Sequence, residues 1–155
     1  MIASAFGNNF DLPTMTTTLT SMPRLLYLTL ALMILGTGLE LVLLEHYEDG
    51  WQWVPVIIFG LALLLFVVLL VKPAAFLLRA FRGLMVLSML SGFLGVYFHL
   101  MANWEFETEL HPTYSTWDLL TNSLTGALPA LAPGSMVVFG LLGIITSAHL
   151  KIKHT

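Results

Sequence analysis

Five side chains near one end of the hydrophobic segments are best suited to chemistry: Glu40, Glu45, His46, His99 and His111. Imidazole together with carboxylate is a ligand set for zinc, iron or manganese. No compact signature such as His-Glu-x-x-His joins these residues, so a divalent metal site would gather its ligands from separate segments. His46 and His99 also suit the axial positions of haem b. Their estimated depths differ by about a turn and a half of helix, which is awkward for a bis-histidine plane. A plainer expectation pairs Glu40 with His99. Glu40 follows Arg24 by sixteen positions and His99 follows Gly83 by sixteen. Each therefore lies ~24 Å along its helix, and in helices running the same way the two share a depth. Ionisable groups within a membrane are costly and ask for such a partner.

Other chemistries have less behind them. Cysteine is absent from the sequence, which excludes disulfides, thiolate metal sites, Fe–S clusters and covalent c-type haem attachment. A lipid-directed enzyme would draw on Glu45, His46 and the acids after Trp104, and nothing positive favours it. A proton or ion path needs polar groups at every depth. The inner half offers Thr29, Ser88, Thr146, Ser147 and His149, and the second hydrophobic segment offers none. The expectation is a protein that is not an enzyme.

The elements that must position these groups are hydrophobic helices. Of 155 residues, 57% are hydrophobic and 10% charged, well below the roughly 25% charged of a soluble domain. A net charge of −3 gives no basis for nucleic-acid binding, which needs clustered cations to neutralise phosphates. A membrane helix needs ~20 mostly apolar residues. Four segments qualify, at about 25–46, 54–71, 84–102 and 132–150. Phe59 to Val71 contains no polar residue, whereas a helix of a soluble bundle would keep a polar stripe.

The charges orient these spans. Arg24 precedes the first, Lys72, Arg79 and Arg82 lie between the second and third, and Lys151 and Lys153 follow the fourth. Glu40, Glu45, Glu48, Asp49, Glu105, Glu107, Glu109 and Asp118 lie toward the opposite ends, and only Asp11 departs from this segregation. Basic residues flanking spans stay in the cytoplasm, so both termini are expected there and the long acidic loop outside. Trp51, Trp53, Trp104 and Trp117 all fall toward the outer side, at the depth indole prefers.

Residues 1–22 read as a tail, mobile or held by a partner, with 23–155 as the membrane domain. The tail lacks the basic start of a signal peptide, and Met15 is an alternative first residue. Lys72 to Gly83 reads as a short surface helix, with Pro73 in its first turn, Gly83 at its stop, and Arg79 and Arg82 on lipid phosphates.

The loop from Asn103 to Pro133 is the most elaborate part. Trp104 to His111 alternates apolar and polar residues, which predicts an extended segment ended by Pro112. Ser115 and Asp118 form a capping box, and Trp117, Leu120, Leu124 and Leu128 recur at helical spacing. A short amphipathic helix follows. The interaction surface is expected to use Trp104, Phe106, Glu107, Trp117, Leu120 and Leu124.

Small residues mark close helix packing: Ser88 with Gly92, Ser91 with Gly95, and Gly36, Gly38, Gly140, Gly143 and Ser147. The second span has only Gly60 and Ala62 and is expected to be the most lipid-exposed. A carotenoid or quinone in a glycine-lined groove is a weaker use of such faces.

The expected fold is therefore all-α: a four-helix transmembrane bundle with a short amphipathic helix and an extended segment in its outer loop. The expected role is a non-catalytic accessory or assembly subunit, in contact with the bilayer and with other membrane subunits or copies of itself. A metal- or haem-binding protein using His99 with Glu40 or His46 is the alternative.

Overall fold

A computed structural model describes residues 12–150, with side chains from residue 22 onward. Asp11, Lys151, Lys153 and His154 lie outside the described residues. Five α-helices follow one another: α1 (Leu12–Leu43), α2 (Trp53–Val71), α3 (Ala75–Leu110), α4 (Thr116–Leu124) and α5 (Ser135–Ala148). Short 3-10 turns at Gly50–Gln52 and Ala132–Gly134 introduce α2 and α5. There is no strand among the described residues.

Three helical stretches are long and apolar enough to cross a membrane: Met22–Leu43, Gly50–Val71 and Ala75–Leu110. The fourth apolar stretch, Ala132–Ala148, is shorter. At ~1.5 Å per residue, α3 is about 54 Å long and exceeds the ~30 Å hydrocarbon thickness by several turns.

Two local expectations are corrected along α3. Lys72 to Gly83 is not a separate surface helix: Lys72 and Pro73 precede α3, and Gly83 lies inside it. A Cβ at Gly83 would meet nothing within 4 Å, so no packing demand bends the chain there. Trp104 to Leu110 is helical rather than extended. Adding turns to an existing helix avoids a new nucleation cost, and Glu and Leu favour the helix, so propagation overrides a short period-two pattern. The helix stops at His111, before Pro112, as the restricted residue preceding a proline requires. The segment read as an N-terminal tail is helical from Leu12, as the beginning of α1.

Leu30 and Ile34 of α1, Phe59, Ala62 and Phe66 of α2, Phe81 and Met85 of α3, and Met136 and Phe139 of α5 form one buried core. The Phe59 and Phe139 rings lie 4.6 Å apart. Helix α2 packs on α1 and α3, and α5 packs on α3 and α1. Only 11% of the apolar stretch of α1 is buried by the rest of the chain, against 28% for α2. Among the described residues, α1 is thus the least buried of the three long apolar helices, and the second span, which its lack of small residues marked as most open, is the most buried of them. Phe59, Ala62 and Phe66 are buried on one side of α2, so its packing uses large rings around one small residue.

The tightest seam joins α3 to α5. Gly140 lies against the backbone of Met85 and Met89, and Gly143 against the Met85 side chain. Ser88 Oγ donates to the Met136 carbonyl across this seam at 2.9 Å. Arg82 is exposed and also serves the fold. Its Nε donates to Ser147 Oγ at 2.8 Å, at the C-terminal turn of α5 where a cation is favoured by the helix dipole.

Candidate functional site

The end of α1 is built to turn one histidine back toward the bundle. Glu45 adopts φ 52°, the left-handed conformation that usually belongs to glycine. The Glu45 N–H donates to the Val42 carbonyl and the His46 N–H to the Leu41 carbonyl, at 2.8 Å for the second. This is a Schellman motif carried by a non-glycine residue, with a local strain of about 1 kcal/mol. His46 follows the strained position directly.

His99 lies on α3, opposite that turn. The His46 and His99 rings are 6.5 Å apart, centroid to centroid, at an interplanar angle of 57°. Nδ1 of His99 is 3.2 Å from the Pro129 carbonyl oxygen. A carbonyl only accepts, so Nδ1 carries the proton and donates, which in the neutral ring leaves the lone pair on Nε2. Among the described residues no hydrogen bond engages Nε2. Burial first, and the neighbouring His99 second, push the His46 imidazole below its ordinary pKa. His46 lies beyond the apolar stretch of α1, which ends at Leu43.

One turn further along α3, Asn103 is buried and fully used. Its Nδ2 donates to the carbonyls of Ser123 (2.8 Å) and Leu128 (2.7 Å), and its Oδ1 accepts from the Leu128 N–H (3.0 Å). The Ser123 carbonyl lies in the last turn of α4, where helical partners run out. Gly126 makes room for the clamp: a Cβ there would sit 2.7 Å from Cγ of Asn103. The sequence showed Asn103 as a polar residue one turn beyond His99 but not its role; an isolated amide at the end of an apolar span was the available signal.

Helix α4 follows the sequence closely. Ser115 Oγ accepts from the Asp118 N–H at 3.2 Å, and the Asp118 carboxylate accepts back from Ser115, completing the capping box. Ser123 faces inward and Trp117 and Leu124 face outward, with Trp117 70% exposed.

The other candidate ligands disperse. Glu40 is exposed, and among the described residues no ion pair or side-chain hydrogen bond joins it to His99. Equal depth fixes a position along the helix axes but not around them, so the expected Glu40–His99 pair does not form. Glu45 is exposed, its backbone strain serving the turn. His111 lies 4.0 Å from the Glu107 carboxylate and stacks on Tyr114, with ring centroids 4.3 Å apart. Among the described residues no three His, Asp or Glu side chains converge. Of the expected interaction residues, Phe106, Trp117 and Leu124 are exposed, while Trp104, Glu107 and Leu120 are half-buried.

No protein-family model, curated protein or solved structure matches this chain.

Proposed function

We propose that this chain is a non-catalytic accessory or assembly subunit of a larger membrane protein complex, with its interaction surface on the outer face. One observation carries the reading. Asn103 pins the α4 cap firmly to α3, yet the apolar side of that cap is left uncovered at Trp117, Leu124, Leu128 and Leu131. A plain connector between α3 and α5 needs neither the clamp nor the apolar face. A large uncovered apolar patch on a held element is what a partner surface looks like.

The reading includes four crossings and cytoplasmic termini. Ala132–Ala148 spans about 26 Å, short of the hydrocarbon thickness by an amount that local thinning or the flanking Leu131 and Leu150 absorb. Segregation of Arg24, Lys72, Arg79 and Arg82 from the acids sets the direction.

Because the chain has no cysteine, single-cysteine variants report cleanly. Asp118→Cys should react with a membrane-impermeant maleimide in intact cells. Trp117→Cys carrying a photo-crosslinker should give one discrete adduct in native membranes, absent when the same probe sits at Leu64 on the lipid-facing side of α2. Labelling of Asp118→Cys only after lysis would reverse the topology. Lipid adducts alone at position 117, with a monomer in mild detergent, would remove the subunit reading. An adduct of twice the 17.1 kDa chain mass would identify the partner as a second copy.

A further inference from the structure

We propose that His46 and His99 together bind one divalent transition-metal ion of the zinc class at the acidic end of the bundle. The inference goes beyond the subunit reading and does not depend on it.

Three features of the fold converge on the pair. The first is proximity across the fold: residues 53 positions apart in sequence bring their rings to 6.5 Å. The second is the state of His99. Its Nδ1–H is committed to the Pro129 carbonyl. A backbone carbonyl holding one ring nitrogen, so that the other presents its lone pair, is the usual support of a metal-bound histidine. The third is the backbone at Glu45, where a non-glycine residue at φ 52° holds the turn that delivers His46. Such strain persists where the surroundings impose it, and it clusters at binding sites.

The spacing suits an ion after a small adjustment. With metal–nitrogen bonds of about 2 Å, two imidazoles on one tetrahedral ion bring their ring centroids to about 5 Å. Closing the pair asks for roughly 1–2 Å of movement, shared between two rings that are half-buried and not locked in the core. Both rings must be neutral to ligate, so metal uptake competes with protons. Two protein ligands leave positions for water or for a carboxylate brought by a partner.

Charge favours a bare cation over haem. Glu45, Glu48 and Asp49 flank His46, and Glu105, Glu107 and Glu109 follow His99 on the same helix. This field attracts a divalent cation and repels the two propionates of haem b. The arginines that would neutralise propionates, Arg24, Arg79 and Arg82, belong to the opposite end.

The test is titration calorimetry of the full chain in nanodiscs with zinc chloride, alongside His46→Gln, His99→Gln and His111→Gln. Glutamine keeps a polar side chain of similar reach, and far-UV circular dichroism confirms that each variant retains its helices. The expected result is one zinc per chain, with affinity at least roughly tenfold weaker in His46→Gln and in His99→Gln and unchanged in His111→Gln. Absence of zinc uptake by the unaltered chain overturns the proposal. So does uptake that survives both substitutions. Haemin titration supplies the remaining arm: a Soret band lost in His46→Gln and His99→Gln, in a chain that takes up no zinc, assigns the pair to haem and overturns the ion.

Discussion

The two halves of α3 use polar residues in opposite ways. In the first half, Arg82 and Ser88 hydrogen-bond to α5 within a seam closed by Gly140 and Gly143. Their bonding capacity goes into joining one helix to another. In the second half, Asn103 is likewise spent on the fold, but one turn to either side His99 and Glu107 keep polar atoms free of helix-to-helix bonds. A lipid environment supplies no hydrophobic drive between helices, so the first half relies on shape. The second half relies on one amide, and the polar atoms left over are the ones available to a ligand.

The sharpest way to break this comparison is to spoil the shape. Gly140→Ala places a methyl group against the Met85 carbonyl and the Met89 backbone, which cannot rotate aside as a side-chain tip can. The expected loss is about 3 kcal/mol, read from unfolding of the protein in mixed micelles by circular dichroism. The same substitution at Gly36 meets nothing within 4 Å. There it should raise stability by about 0.5–1 kcal/mol, because alanine is the better helix former. Equal effects at the two positions would show that the seam is not closed by shape.

Asn103→Ala should cost less, about 2 kcal/mol, and the loss should be local. Three backbone groups of residues 123 and 128 lose their partner, while the α3–α5 seam is untouched. Amide hydrogen exchange should therefore quicken in residues 115–131 and stay slow in α5. Uniform quickening would mean that the cap and the seam are one cooperative unit and that the contrast between the halves is only apparent.

Much of this arrangement was legible in the residues. The apolar runs located α2, the body of α3 and α5, and the Gly140 and Gly143 spacing marked the seam. Ser115 and Asp118 named the start of α4. Three things were hidden for physical reasons. The strict alternation from Trp104 to Leu110 describes side chains, but the chain there continues a helix already nucleated. The burial of α2 rests on Phe59 and Phe66, whose ring packing leaves no small-residue signature. The nearness of His46 to His99 depends on a reversal at Glu45. Counting rise per residue along a straight helix carries His46 outward, whereas the left-handed turn brings it back, and glutamate gives no advance sign of that conformation.

The smallest expected effect separates shape from hydrogen bonding within the seam itself. Ser88→Ala removes the bond from Oγ to the Met136 carbonyl and nothing else, since Ser88 is buried and alanine fits where serine did. The Met136 carbonyl lies in the first turn of α5, where the helix supplies it with the N–H four residues on, so no group is left unpaired. Hydrogen bonds between membrane helices average about 0.6 kcal/mol, and the loss should be of that size, several-fold below that of Gly140→Ala. Mixed-micelle unfolding of the two variants side by side measures the ratio. A Ser88→Ala loss as large as that of Gly140→Ala would mean that the seam is held by its polar contact, and the early half of α3 would then work on the same principle as the Asn103 clamp.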